Sequence, residues 1–334
     1  MKPIIKNPKH KLRWGIAGCG SYTENTFIPN LFFLRRSTLN SLFSHNANRV
    51  KTLGDKFNVP NRFTNYDEFL MSDIDAVYIA SVNSDHYEQT IKAAKAGKHI
   101  LCEKPIAMTS AQAQEMVNVC KENNVQLAIN YTYRFHPLVI KAKELIDSLL
   151  IGKLVSVNLN FNIDFIPGTN FRYEKQLSGG GALRDIGTHT IDLLRYFGGE
   201  IESIDGVIDD IIYKTEVDDF AAGIVKFKNG GYGSFNVSYN TKKAFNRVEI
   251  LGHKGALSIE KLISYKFVPV KLTILIDGEA KKSFRKRGNK VLNMLKSMQN
   301  SFLRNETPLV TGYDGLVNMK LMEELETKCL SKKI

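Results

Sequence analysis

Cysteine is scarce in this chain of 334 residues, which has only four: Cys19, Cys102, Cys120 and Cys329. They are scattered and form no C-x-x-C pair, which argues against a disulfide framework and points to a reducing compartment. Zinc has no recognisable ligand set, and no metal is expected. Long apolar runs are also missing; none approaches the roughly 20 residues of a membrane span. The opening stretch MKPIIKNPKHKLRWG is basic but lacks the apolar core of a secretory leader. A cytoplasmic protein is therefore expected. The hydrophobic share of 43% and charged share of 24% lie near globular averages, which excludes a disordered or fibrous chain. No repeat or low-complexity segment is present, and the length suits two domains.

Acidic residues are in deficit, 34 against 46 lysines and arginines, for a net charge of +12. Nucleic acid, an anionic substrate or an acidic surface would each suit that balance. The charge is dispersed, and no helix-turn-helix or basic-region pattern is present, so nucleic acid is not the expected partner. Nor is a membrane. One local basic run stands out: Lys281, Lys282, Arg285, Lys286, Arg287 and Lys290. It reads as a solvated loop, or as a contact for a phosphorylated substrate or partner.

Hydrophobic periodicity divides the chain near residue 130. Before it, strand-like runs at 13–17, 38–43, 75–80, 99–102 and 125–129 alternate with helix-like segments at 46–57, 86–96 and 110–123. Gly97 stops the second of these helices, and Ser110 is a candidate cap for the third. Such alternation predicts a doubly wound parallel sheet with helices on both faces over residues 1–130. After it, residues 137–150 read as a helix. Residues 155–165 then alternate strictly, with Val155, Val157, Leu159, Phe161, Ile163 and Phe165 on one face. Further strands are predicted at 207–213, 221–227, 232–239, 248–251 and 256–259, with closing helices near 290–303 and 315–329. Residues 131–334 are thus expected to form an α+β domain with a large, mostly antiparallel open sheet. Its polar rows, Asn158, Asn160, Asn162, Ser234, Asn236, Ser238 and Asn240, are uncharged. They suit a wet interface between subunits, or simple exposure to solvent.

The segment GIAGCGSYT lies at the end of the first strand and the turn after it. Gly18 permits a tight turn. Gly20 lets a pyrophosphate approach the backbone of Ser21 and Tyr22, where a helix begins. Thr23 stands where a third glycine or alanine is usual, so the fingerprint is imperfect. The second strand ends in Ser44-His45-Asn46 with no carboxylate to repel a 2′-phosphate. Ser44, His45 and Arg49 lean the cofactor towards NADP over NAD.

Glu103-Lys104-Pro105 follows a buried strand, at the end where open α/β sheets bind ligands. A lysine there can stabilise negative charge developing on a substrate oxygen. Further on, SGGGALRDIGTHT runs from glycines into a predicted helix. Asp185 and His189 are four apart, which a helix places on one face. Histidine suits proton transfer near neutrality, with the carboxylate orienting it or binding substrate. A buried structural histidine is the alternative.

Four segments together resemble the glucose-fructose oxidoreductase / inositol dehydrogenase (Gfo/Idh/MocA) family: GIAGCGSYT, SVNSDHYEQTIKAAKAGKHILCEKPIAMT, NYTYRFHP and SGGGALRDIGTHTIDLLRYFGG. They occur in the family's order. Beyond residue 200 the resemblance rests on strand pattern. It implies a nicotinamide cofactor, a secondary-alcohol or ketone substrate of sugar or inositol type, and homo-oligomers, dimer or tetramer, built through the second domain's sheet. It implies that Lys104 polarises the reacting hydroxyl, His189 exchanges its proton, and Asp185 binds substrate or orients His189. Asn83 and His86 match the loop near nicotinamide and ribose, with Glu103 beside them. Val82 stands where the family often has proline. Tyr133, Arg134, Asn170, Arg172 and Tyr173 are candidate substrate contacts. Two other readings share the scaffold: an NAD-dependent glycoside-cleaving enzyme, and a non-catalytic dinucleotide-sensing regulator.

Overall fold

The computed structural model describes residues 11–263 and 268–331, so part of the opening stretch read for a leader lies outside it. The chain divides into two compact units, Met1–Asn130 with Val291–Met319, and Tyr131–Lys290 with Lys320–Ile334.

The first unit holds β1 (Leu12–Ala17), β2 (Ser37–Phe43), β3 (Asn61–Phe63), β4 (Ala76–Ile79), β5 (His99–Cys102) and β6 (Leu127–Ile129). They pair in parallel in the order β3-β2-β1-β4-β5-β6. Around them run α1 (Ile28–Leu31), α2 (Ala47–Phe57), α3 (Tyr66–Met71), α4 (His86–Lys95) and α5 (Ser110–Glu122). This is the doubly wound fold the alternation predicts, with the order reversing between β1 and β4, where such sheets bind ligands. All four residues of β4 are fully buried, as a central parallel strand requires. Trp14, the only tryptophan, is also fully buried, against Phe27 and Phe302. Phe302 belongs to the late segment that returns to this unit, tied as well by Ser37 Oγ donating to Gln299 at 3.0 Å. The cap of α5 is Thr109, one residue before the Ser110 expected: its hydroxyl accepts from Gln112 N, and its backbone is extended. β3 and α3 escape the sequence pattern because each is short.

The second unit opens with α6 (Pro137–Asp147), β7 (Leu154–Asn162), α7 (Lys175–Ser178) and α8 (Thr188–Gly198). Its remaining strands are β8 (Ile201–Asp209), β9 (Phe220–Phe227), β10 (Tyr232–Ser238), β11 (Arg247–Gly252), β12 (Gly255–Glu260), β13 (Val270–Ile276) and β14 (Lys282–Lys286). Later in the chain, α9 (Lys290–Arg304) belongs to the first unit from Val291 on, and α10 (Gly312–Ser331) to the second from Lys320 on. The sheet order is β14-β13-β12-β11-β7-β10-β9-β8, antiparallel except for β7 and β10. Val157, Leu159, Phe161, Phe235 and Val237 form its buried face. Each stabilises the fold by about 1.5–3 kcal/mol. The asparagine rows line up as expected of one face: Ser234 pairs with Asn158, Asn236 with Asn160 and Ser238 with Asn162. Ser234 Oγ donates to Asn158 Oδ1 at 2.8 Å.

Two expectations are corrected here. The strand expected at 207–213 ends at Asp209, because the Ile211, Ile212 and Tyr213 amides all turn to the Asp219 carboxylate at 2.8 Å. The basic run at 281–290 is not a plain loop. Its first half forms β14, an edge strand with all five residues exposed. Charge on an edge strand discourages further pairing and also masks the alternation that would reveal it.

Two histidines tie stability to pH. His136 Nδ1 accepts from Leu138 N at 3.2 Å and caps α6, so the ring must be neutral. Burial, then the charges of Lys290 and Lys286, draw it down to about 4. Burial brings His99 to about 4 as well. Both rings are neutral above the ordinary value of about 6.5 in either state. As pH falls from there towards 4, only the unfolded chain takes up the protons, and stability is lost progressively. The melting temperature is expected to fall over that window. His136→Asn, which retains a capping oxygen, should flatten the decline.

Candidate active site

In the first unit, the glycine loop is shaped by one close approach. Gly18 has φ +110°, and a Cβ there would lie 2.3 Å from Ala80 O. Any other residue is strained and clashes. Gly20 differs: a Cβ would meet nothing within 4 Å. The chain is helical from Ser21, passing through a π-helical turn at Thr23–Phe27. Open space before a helix start is what a pyrophosphate requires, so the loop fits a dinucleotide. Thr23, the departure from the fingerprint, is buried, and its hydroxyl donates to Gly18 O at 2.9 Å. It closes the loop that a third glycine would leave to packing alone. Gly20→Asp is expected to abolish any rise in melting temperature on adding dinucleotide. With no neighbour to strike, it should leave the unliganded protein's melting unchanged.

At the end of β2, Ser44 Oγ accepts from Asn46 N at 3.2 Å. His45 is largely exposed and lies 3.8 Å from Asp85, an ion pair when the ring is protonated. Arg49 is exposed, and its charge reaches Cys19 in the glycine loop. Burial still pushes that thiol up to about 12. Ser21 Oγ accepts from Asn25 at 3.1 Å, and Tyr22 is exposed.

Asn83 opens the turn before α4 and His86 is the first residue of α4, and their settings differ. His86 is fully buried, its Nδ1 lying 2.9 Å from Pro105 O, and burial lowers its pKa. It braces the Glu103-Lys104-Pro105 turn from behind. Asn83 is at the edge of burial. Val82, where the resemblance leads one to expect proline, has φ −69° and ψ 153°, values a proline also adopts. Glu103 accepts from both Tyr78 OH and Asn130 Nδ2, so its carboxylate anchors the end of β5. Lys104, partly exposed, follows it and precedes a cis peptide bond to Pro105.

In the second unit, Gly181 passes so close to Asp218 that a Cβ would sit 1.8 Å from its carbonyl oxygen. The Asp218 carboxylate takes the Gly181 and Leu183 amides, each at 2.8 Å. That pins the start of a helix whose first turn, Leu183–Gly187, is π-helical, not the plain α-helix expected. Such turns are frequent at functional sites. Arg184 fixes the turn to α10 by a two-pronged contact with Glu326 at 2.7 Å. Asp185 Oδ2 accepts from Tyr239 OH at 2.7 Å and Arg172 Nε at 3.2 Å. His189, half-buried, stands edge-on to Tyr133 with ring centroids 4.9 Å apart, and to Tyr131 at 5.9 Å. Asp185 and His189 are thus both held, and the latter's ring plane is set by aromatic walls.

The remaining candidates separate by what they touch. Arg134 is buried, with its guanidinium committed to Asp192 at 2.9 and 2.6 Å, and it links the 132–135 turn to α8. Asn170 caps its own turn by accepting from Arg172 N at 3.1 Å. Tyr173 donates its hydroxyl to Phe165 O. Of these five, Arg172 contacts Asp185 and Tyr133 contacts His189. Tyr239 was not singled out in the sequence; it is the last residue of an apolar-alternating run, and nothing local marks its hydroxyl as aimed at Asp185. Among the described residues, no group of three or more His, Cys, Asp or Glu side chains could hold a metal. Nor is any helix among them long and apolar enough to cross a membrane.

Residues 12–131 match the oxidoreductase family, NAD-binding Rossmann fold, and residues 139–258 match the GFO/IDH/MocA C-terminal domain. The chain belongs to the Gfo/Idh/MocA oxidoreductases. The match carries the family well past residue 200, where motifs had given out. Oxidoreductase P35 of Formosa agariphila is 30% identical over 80% of this chain and 83% of its own. The 1,5-anhydro-D-fructose reductase of Ensifer adhaerens is 28% identical over 91% and 92%. Among solved structures, the aldose-aldose oxidoreductase of Caulobacter crescentus superposes with a TM-score of 0.88 at 26% identity, covering 97% of this chain and 98% of that one. The chain is accordingly an enzyme of a sugar-related, NAD(P)-dependent family.

Proposed function

We propose that this oxidoreductase interconverts a secondary alcohol and a ketone on a sugar, sugar derivative or inositol-like polyol. The observation that carries the reading is Asp185, a carboxylate gripped by Tyr239 and Arg172 in the π turn just before a half-buried, aromatic-walled His189. A bound nicotinamide dinucleotide, held by Gly18, Gly20 and the helix start, supplies the hydride acceptor or donor. His189 takes the hydroxyl proton during oxidation and returns it during reduction. Lys104 hydrogen-bonds the substrate oxygen and stabilises its alkoxide character. Asp185, with Arg172, orients the polyol. Tyr239→Phe should lower kcat/KM about tenfold by removing one of the hydrogen bonds that position Asp185, with KM and kcat both affected.

The test is thermal unfolding with NAD⁺, NADH, NADP⁺ and NADPH in turn, since a ligand of the folded state raises the midpoint. A rise with one pair, followed by sugar-dependent change in nicotinamide absorbance, supports the reading. No rise, with no dinucleotide released on denaturation, overturns it. Arg49 and Ser44 support NADP as the preferred cofactor; Arg49→Ala should then weaken NADPH more than NADH. The uncharged rows of β7 and β10 support a homo-oligomer through the open face of the sheet. A monomeric mass at micromolar concentration would count against it. The four free cysteines suit the cytoplasm, which cell fractionation would check.

A further inference from the structure

Lys290 is the first residue of the 15-residue helix α9, where the positive end of the helix disfavours a cation. Its Nζ lies over the ring of Tyr133, 3.9 Å from the centroid. Tyr133 is the same ring that stands edge-on to His189. The connection before Lys290 presses on this segment as well: a Cβ at Gly288 would lie 2.6 Å from His136 Nε2. Lys290 and Lys286 both act electrostatically on His136, so two positive charges lie near this segment. Among the described residues, no carboxylate forms an ion pair with Lys290. The aromatic face favours this cation, but a helix start and a second nearby lysine both disfavour it, and no counter-charge among the described residues is paired with it. Such violations mark functional positions.

Resting on the reading of the site given above, we infer that Lys290, supported by Lys286, receives an anionic group of the substrate, a carboxylate or a phosphate. The enzyme's preferred substrate is then an acidic or phosphorylated sugar, not a neutral one. Tyr133 sets the spacing: the anion docks on the outer side of its ring, while the carbon that reacts faces His189. Lys290 is a specificity-determining residue and takes no part in proton or hydride transfer. Desolvation draws its ammonium down to about 8, a cost that an arriving anion would offset.

The experiment measures binding of D-glucuronate, D-glucose 6-phosphate and D-glucose to the dinucleotide-bound protein, and of inorganic phosphate to the protein alone. At least one anionic sugar is expected to bind about tenfold more tightly than glucose. Which of the two it is separates carboxylate from phosphate. Lys290→Met, which keeps an apolar stem over Tyr133, should bring that sugar within about threefold of glucose and leave glucose itself unchanged; Lys290→Arg should keep the preference. Glucose binding as tightly as both anions, none of the three binding, or a preference that survives Lys290→Met would each overturn the inference. If no dinucleotide raises the melting temperature, the oxidoreductase reading fails on its own. Phosphate binding that Lys290→Met abolishes would still uphold the anion site, and phosphate binding that the substitution leaves intact would reject it.

Discussion

Lys104→Met is expected to lower kcat by about 10²–10³-fold, an activation cost of about 2.7–4 kcal/mol, while the dinucleotide-induced rise in melting temperature persists. The size follows from how firmly the lysine's backbone is held. On one side, Glu103 is pinned by Tyr78 and Asn130. On the other, Pro105 O is met by the buried ring of His86 at 2.9 Å. Lys104 is therefore presented at the carboxyl end of β5 with little backbone reorganisation left to perform when substrate arrives. Electrostatic stabilisation is strongest when the donor is already in place. Methionine retains the length and removes the charge. Single-turnover measurement at saturating sugar and cofactor checks it; an unchanged rate would remove Lys104 from the chemistry, and a lost melting shift would make it a cofactor ligand instead.

The largest effect on stability is expected at Asp192. Its carboxylate and the Arg134 guanidinium are both nearly inaccessible and meet at 2.6 and 2.9 Å, with the guanidinium carbon also 5.3 Å from the Tyr196 ring centroid. The intact pair brings little net stability, because desolvating both charges costs about as much as their attraction returns. Removing one partner is different: Asp192→Leu takes the buried carboxylate away from a buried guanidinium and should cost about 3–5 kcal/mol. For a chain of this size that corresponds to a fall in melting temperature of roughly 10 °C. Adding Arg134→Met to Asp192→Leu should recover most of the loss, since an apolar pair of similar volume has no charge to strand. If the double variant is as unstable as the single one, packing volume at α8, not charge, governs the site.

Much of this architecture was legible from local pattern. The alternation of apolar runs over residues 1–130 appears as the six-stranded parallel sheet, because strands buried on both faces must be apolar throughout. The two-residue period appears as β7, where Val157, Leu159 and Phe161 meet a core, while Val155 is exposed and Ile163 and Phe165 lie past the strand's end. Where the signal failed, the physical reason is specific. β14 is charged at three of its five positions and exposed along its length, so no apolar face announces it. The end of β8 is set by Asp219, ten residues downstream, through three backbone amides that periodicity does not see.

The sequence by itself determined the fold class, the glycine loop and the chemical groups at Lys104, Asp185 and His189, because spacing and residue type are local properties. Tertiary structure alone decided what each candidate touches. Arg134 and Arg172 are alike in sequence, yet one is consumed by a buried ion pair and the other grips Asp185. His86 and His189 are both plausible acids or bases, yet one braces a turn in full burial and the other stays partly open. Tyr239 and Lys290 gain their places only because strands and helices far apart in the chain bring them to Asp185 and Tyr133. A side chain's type sets what it can do; long-range packing, which sets its partners and its access to water, determines which of those things it does.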